Sequence, residues 1–258
     1  MESQTPANTQ KMNLPRFVLA LLINPRQAFT QLDQTNRPHF LWAAATMLAV
    51  IWLVAILTLP VMQREAAAGI DTMLAQTGDN MSDLQRSSME QSRAFATNPV
   101  FLVAGSGIVE TIAYPILWAS AAGLLYLLSL AFGGQARFGS VLSMTVWASI
   151  AEILGKIMLM IGTLATGATP QPGLSYLVNV EGVKSITPVS AALVQILSKV
   201  TIFEIWYLVL IGIGIGVCAK ITRPKSAVIT VVYWLISLIP PVALAVGSAL
   251  IASATLGG

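Results

Sequence analysis

The chain has 258 residues, of which 55% are hydrophobic and only 10% are charged. Soluble globular domains carry about 25% charged residues, so this composition excludes an ordinary soluble enzyme or binding domain. The net charge of +3 is small for this length and gives no basic surface of the kind that binds nucleic acid. We therefore expect no nucleic-acid partner.

The N-terminal region divides into a polar tail and an amphipathic segment. Residues 1–13 predict a disordered tail, and one membrane domain is expected over residues 14–258. Residues 14–32 have helix-like periodicity that Pro25 interrupts. The apolar positions expected to share the buried side are Phe17, Leu21, Phe29 and Leu32. The pattern fits a helix in the membrane interface or a helix packed on the bundle.

Five apolar stretches dominate the rest of the chain. They cover residues 40–62, 100–132, 141–165, 200–219 and 227–252. A transmembrane helix needs about 20 mostly apolar residues, and each stretch is long enough. The sequence therefore predicts an all-α, polytopic membrane helix bundle with five transmembrane helices and the lipid bilayer as its surroundings.

Breaks and caps divide the remaining segments. The linker 63–98 predicts two helices separated at Gly78-Asp79-Asn80, with Ser82 as an N-cap. The second apolar stretch would be about 50 Å long as one helix, so we expect a kink at Pro115 or an interfacial first part. Thr187-Pro188 is typical of a helix start, and Pro240-Pro241 predicts a kink in the last span.

Arginine and lysine counts predict the orientation of the spans. With a cytoplasmic N-terminus, the inner segments hold Lys11, Arg16, Arg26, Arg37, Arg137, Lys220, Arg223 and Lys225. The outer segments would then hold Arg64, Arg86, Arg93 and Lys184. Eight against four favours a plasma (cell inner) membrane protein with its N-terminus in the cytoplasm and its C-terminus outside.

A few charged residues lie inside the apolar stretches and form the predicted intramembrane polar cluster. Its members are Glu110, Glu152, Lys156 and Glu204. Glu152 and Lys156 are four residues apart, so they share one helix face and are expected to pair. Lys156 is expected at the centre, with Glu110 or Glu204 reaching it across the bundle. The cluster has two interpretations: a structural ion pair that fixes helix register, or a proton, cation or head-group site.

Small residues at four-residue spacing predict helix-packing faces. The pairs are Gly212/Gly216, Ala151/Gly155 and Ala119/Gly123. The run Gly212-Ile213-Gly214-Ile215-Gly216 is not a dinucleotide fingerprint, because no strand precedes it and it lies within an apolar span.

Residue types that carry catalysis are scarce. His39 is the only histidine and Cys218 the only cysteine, so no disulfide, metal site or Ser–His pair is expected. We expect no cofactor and no enzymatic activity.

The order of these pieces resembles the Yip family of membrane proteins (Ypt/Rab-interacting-protein domain). The first matching segment is Leu22-Ile23-Asn24-Pro25-Arg26-Gln27-Ala28-Phe29. The second is Phe132-Gly133-Gly134 leading to Phe138, and the third is Phe203-Glu204-Ile205-Trp206-Tyr207-Leu208-Val209-Leu210-Ile211-Gly212. Family members often have an aspartate two positions before this phenylalanine, where this chain has Thr201.

The resemblance implies five spans, a cytosolic N-terminus and no enzymatic activity. Eukaryotic members act in vesicle traffic and bind prenylated Rab GTPases, but their DLYGP-type motif is absent from this sequence. The chain therefore looks like a prokaryotic branch of the family. A membrane scaffold or partner-binding protein is the first functional hypothesis. The alternative is a small transporter or channel that uses the intramembrane polar cluster.

Overall fold

The computed structural model describes residues 14–34, 40–77, 82–178 and 187–256. These residues form ten α-helices and one short 3₁₀ turn at Ser175–Leu177, with no strand among them. The α-helices are α1 Leu14–Ile23, α2 Pro25–Gln34, α3 Phe40–Thr77, α4 Asp83–Ala96, α5 Pro99–Ala131, α6 Phe138–Ala148, α7 Ile150–Thr166, α8 Pro188–Ser198, α9 Ile202–Cys218 and α10 Arg223–Leu256. The predicted all-α class is confirmed. The predicted tail 1–13, His39 and the break at Gly78-Asp79-Asn80 lie outside the described residues.

Within the described ranges, four segments are long and apolar enough to cross a bilayer: Phe40–Thr72, Pro99–Ala131, Phe138–Thr166 and Arg223–Ile251. The helix pair α8 and α9 is bent by 65° at a short break and supplies a fifth crossing if it counts as one span. The sequence pattern predicts one span over residues 200–219, and in the structure helix α9 forms most of that segment. The bend arises where Lys199 caps α8 and Thr201 begins the cap of α9.

Helix caps account for several boundaries. Ser82 accepts a hydrogen bond from the Gln85 backbone N–H, so the predicted N-cap is confirmed. The Gln85 side chain also accepts from the Ser82 backbone N–H and completes a capping box. Thr187 caps α8 with Pro188 in its first turn, which is also confirmed. The first half of the predicted linker 63–98 instead continues α3 to Thr77, because that stretch is rich in alanine and other helix formers.

The prolines inside the long helices do not divide them. Helix α5 runs without interruption through Pro115, and α10 runs through Pro240 and Pro241. Asn98 caps α5 and accepts a hydrogen bond from the Val100 backbone N–H. The loss of a backbone donor at each proline is tolerated in membrane helices because neighbouring helices and local adjustments satisfy the freed carbonyls.

The N-terminal helices pack on the bundle. Leu21 and Phe29 are fully buried and Leu32 nearly so, while the Phe17 ring lies 4.7 Å from the ring of Trp147 on α6. Helix α2 packs against α9. The amphipathic pattern left open a helix in the membrane interface or a helix packed on the bundle. In the structure, this segment packs on the bundle.

Two turns meet at one end of the bundle, which we call the basic end because Arg137, Lys220, Arg223 and Lys225 lie there. The Gln135 backbone N–H donates to the carbonyl of Ala219 at 2.9 Å, so the turn after α5 touches the turn after α9. Lys225 Nζ donates to the carbonyl of Phe132 at 2.9 Å. Gly133, with φ of +78°, reverses the chain after α5 in a conformation that favours glycine.

Helices α3 and α5 are antiparallel. Gln63 Nε2 donates to the carbonyl of Thr97, and Trp52 Nε1 donates to Thr111 Oγ1, so residue numbers rise on α5 as they fall on α3. The start of α3 is therefore at the basic end. Helix α10 begins at that end and continues past α9 to pack on α8. The start of α3 and the end of α10 thus lie at opposite ends of the bundle.

Candidate functional site: an intramembrane polar cluster

An ion pair joins α5 to α7. Lys156 Nζ lies 2.6 Å from Glu110 Oε2, and the two side chains are 28% and 35% exposed. A single charge inside a membrane span costs several kcal/mol, and pairing with the opposite charge reduces that cost. The contact is a direct polar link between α5 and α7.

Tyr114 completes the surroundings of this lysine. It lies one helical turn after Glu110 on α5, and Lys156 Nζ is 5.4 Å from the centre of its ring. This distance suits a cation–π interaction, which is stronger in a desolvated site than in water. The Lys156 ammonium group therefore lies beside a carboxylate and an aromatic ring that both belong to α5.

Glu152 does not pair with Lys156. The i, i+4 spacing predicts that contact, but Lys156 makes its ion pair across the interface with Glu110. Glu152 is half-buried on α7, and its electrostatic neighbours are Glu204 on α9, Lys199 and Lys156. It has neither a hydrogen bond nor an ion pair in the part of the chain that the structure describes.

Glu204 lies in the first turn of α9. Thr201 caps this helix, and its Oγ1 accepts a hydrogen bond from the Glu204 backbone N–H at 2.9 Å. A carboxylate in a first turn is favoured by the helix dipole. Threonine is one of the favoured N-cap residues.

Two tyrosines that the sequence pattern did not single out join the cluster. The hydroxyl groups of Tyr207 on α9 and Tyr233 on α10 are 2.9 Å apart, and both residues are buried. Glu152 and Glu204 are electrostatic neighbours of Tyr207. Tyr207 follows Glu204 by three residues and therefore lies near it on one helix face, a spacing that could have identified it from the sequence.

The predicted small-residue faces have different outcomes in the structure. A Cβ built on Gly212 would lie 3.2 Å from Thr230 Oγ1, and one on Gly216 would lie 3.3 Å from Ser226 Oγ, so both glycines face α10. Ala151 is buried, and a Cβ on Gly155 would lie 3.1 Å from Phe203 of α9. The pair Ala119/Gly123 forms no such face with the described helices, because a Cβ built on Gly123 would meet no described atom within 4 Å outside its own helix backbone.

Gly214 is the more constrained member of the glycine run. It is buried on the opposite face of α9, where an added Cβ would overlap the Met144 side chain of α6 and lie 3.3 Å from the Phe29 ring of α2. The sequence drew attention to Gly212 and Gly216 because of their spacing. Only the arrangement of three helices around α9 identifies Gly214.

The tyrosine pair gives a stability prediction. Changing either Tyr207 or Tyr233 to phenylalanine should lower thermal stability in detergent by about 1 kcal/mol, because the remaining buried hydroxyl loses its partner. The double phenylalanine variant should recover most of that loss. Thermal unfolding of the four proteins measures the coupling, and additive losses would show that the two hydroxyls do not interact.

Together these features define a multi-span helical membrane protein with a polar cluster among α5, α7, α9 and α10. The model of the Yip1 domain matches residues 19–245, which includes every member of the cluster. The chain therefore belongs to the Yip1-domain family, whose proteins are generally non-enzymatic membrane proteins. Neither the curated proteins nor the solved structures include a significant match. Groups of three or more metal-ligating side chains are absent from the described residues.

Proposed function

We propose that this protein is a non-enzymatic membrane scaffold or partner-binding protein of a prokaryotic plasma membrane. The observation that carries the proposal is that polar side chains join neighbouring helices in pairs. The pairs are Trp52–Thr111, Glu110–Lys156, Trp118–Ser149 and Tyr207–Tyr233. Interhelical hydrogen bonds in membranes contribute about 0.6 kcal/mol each on average, so several of them favour one rigid arrangement.

The position of the cluster also supports a structural role. A groove of about 1100 Å³ lies beside α9, but Glu110, Glu152, Lys156 and Glu204 are not among its lining residues. A transporter needs a hydrated route to the groups that bind its substrate. The paired groups are instead suited to hold α5, α7, α9 and α10 in place while an outer surface binds a partner.

A small transporter or channel is the second candidate, and one observation favours it. Glu152 and Glu204 are half-buried, are electrostatic neighbours and have no side-chain hydrogen bond or ion pair with another described residue. Two neighbouring carboxylates of this kind are able to share a proton or bind a cation. In this alternative, Lys156 and Glu110 would be the countercharges near that site.

Water access to Glu152 distinguishes the two functions. Cys218 is the only cysteine and is buried, so a Cys218→Ala background is free of thiols. In this background, Glu152→Cys should resist a membrane-impermeant maleimide applied to vesicles opened on both sides. Thr169→Cys, at an exposed position outside the helices, should react fully. Reaction of position 152 at a rate within about tenfold of position 169 would contradict the scaffold proposal and support the transporter, which needs water at an intramembrane acid.

The proposed orientation has the N-terminus in the cytoplasm and the C-terminus outside. The eight-to-four count of basic residues supports it, as does the location of the start of α3 and the end of α10 at opposite ends of the bundle. A phosphatase reporter fused after Gly258 should be active, and a fluorescent reporter that folds only in the cytoplasm should remain dark there. The opposite pair of results would reject this orientation.

A further inference from the structure

A groove runs along α9 between α2 and α10. Its volume is about 1100 Å³, and its lining extends along α9 from Ile205 to Val217 and then to Lys220 and Ile221. The part from Ile205 to Val217 corresponds to about 18 Å of helix, at 1.5 Å for each residue. Gly212 and Gly216 contribute no side chains to it, and Trp234 of α10 forms part of its wall. The groove is therefore elongated along α9 and mainly apolar.

Each of the three walls supplies one cation. Arg26 comes from α2, Lys220 from the turn after α9 and Arg223 from the first residue of α10. All three side chains are exposed, and none forms an ion pair with a described carboxylate. None of the described aspartate or glutamate residues lines the groove. Its charge is therefore complementary to an anion.

Helix termini of both kinds lie at the groove. Helices α2 and α10 begin there, at Pro25 and Arg223, while α1 and α9 end there, at or next to Ile23 and Val217. A helix start carries a partial positive charge and a helix end a partial negative charge, so these backbone contributions oppose each other. The positive charge of the groove therefore comes from its three cationic side chains.

Lys220 adopts a backbone conformation that normally favours glycine. Its φ is +55°, and it is the only non-glycine residue with a positive φ in the described chain. It ends α9, where the Ile221 backbone N–H donates to the carbonyl of Gly216. Glycine is the usual residue at this position of a helix C-terminus. A lysine in a strained conformation beside a groove is the kind of feature found where a side chain has a binding role.

We propose that this groove binds one anionic phospholipid of the surrounding leaflet. Lys220, Arg223 and Arg26 bind the headgroup phosphate, and one acyl chain lies along the apolar part toward Ile205. The turn between α9 and α10 reverses the chain at the basic end of the bundle, so its two cations lie at the level of lipid headgroups. Anionic lipids attract basic residues at this level, and the adjoining apolar groove makes the binding specific for a lipid with a chain.

Fluorescence quenching of Trp234 tests the proposal, because this residue lines the groove. The full chain is reconstituted into phosphatidylcholine vesicles with increasing fractions of phosphatidylglycerol brominated on its acyl chains. Brominated phosphatidylcholine in the same matrix is the lipid control. The chain has six tryptophans, so the fluorescence of Trp234 is obtained by subtracting the fluorescence of the Trp234→Phe variant from that of the parent protein. We expect the anionic lipid to quench this signal at a lower mole fraction than the zwitterionic lipid.

Charge variants identify the residues responsible. Lys220→Gly, Arg223→Gln and Arg26→Gln should each reduce the preference for the anionic lipid by about fivefold, the contribution of one basic residue near an anionic surface. Lys220→Gly should retain its thermal stability, because glycine suits the positive φ. Arg137→Gln removes one charge from the same end of the bundle but does not line the groove, and it should retain the preference.

Four results would overturn the proposal. The first is equal quenching of Trp234 by both lipids, and the second is no quenching by either lipid. The third is an equal loss in Arg137→Gln and the groove variants, which would assign the effect to general surface charge. Addition of glycerol phosphate should leave the quenching unchanged, and the fourth result, competition by it, would assign the site to a soluble phosphate compound instead.

Discussion

Changing Lys156 to methionine should lower the free energy of unfolding by about 3 kcal/mol and sharply reduce the folded yield. The substitution leaves Glu110 as an unpaired carboxylate within the helix bundle, and breaking a buried pair costs about 3–5 kcal/mol. We expect the lower end of this range, because 28% of the lysine and 35% of the glutamate side chain is exposed. Fluorescence-detected size-exclusion chromatography after heating in detergent measures the loss.

The double variant Lys156→Met/Glu110→Leu should recover much of the stability. Replacing both members of a buried pair by apolar side chains is often close to neutral, since no charge remains to be desolvated. Lys156→Met/Glu152→Leu should recover less, because Glu152 does not form the ion pair. Arg137→Gln removes an exposed cation that lies outside the cluster and has no ion pair with a described carboxylate, so it serves as the control. Normal yield of Lys156→Met, with no gain in either double variant, would show that the pair has no structural role.

Gly214→Ala should destabilise the protein by about 1–3 kcal/mol, the usual cost of forcing extra volume into a packed interior. The new Cβ would overlap Met144 on α6 and press on Phe29 of α2, so α9 would have to shift away from both helices. Thermal unfolding in detergent is again the measurement. Gly214→Leu should abolish folded expression, because the side chain is much larger than any gap at this position.

Gly123→Ala is the matched control for this substitution. Gly123 lies inside α5 with nothing within 4 Å of an added Cβ, so the change should be neutral or stabilising by up to about 1 kcal/mol through helix propensity. The Met144→Ala variant should relieve part of the Gly214→Ala defect in the double mutant. If Gly214→Ala and Gly123→Ala unfold at the same temperature, the close contact of α9 with α6 is incorrect.

The proposed lipid site and the polar cluster involve different residues of α9. Ile205 and Gly212 line the groove, whereas Glu204 and Tyr207 do not line it and belong to the cluster. Loss of lipid preference in Lys220→Gly should therefore occur without the loss of folded yield that is expected for Lys156→Met. This separation allows the structural and lipid-binding roles to be measured independently.

The sequence alone predicted the helical class, the main apolar spans and several helix starts. A bilayer about 30 Å thick requires long apolar segments whose backbone groups are hydrogen-bonded within the segment. The spans can therefore be identified from the hydropathy of each segment alone. The helix starts at Ser82 and at Thr187-Pro188 were predictable for a similar reason, because an N-cap depends on residues within one helical turn.

The partners of the polar side chains were decided only by the tertiary structure. Spacing along a helix identified Glu152 as a neighbour of Lys156, but the lysine bonds to Glu110, which is 46 residues away. Spacing likewise identified Gly212 and Gly216, while the tightest packing is at Gly214, where α2 and α6 meet α9. Contacts of this kind depend on the rotation and depth of each helix relative to its neighbours. Periodicity within one helix fixes which residues share a face, but the packing of the whole bundle determines which face meets which partner.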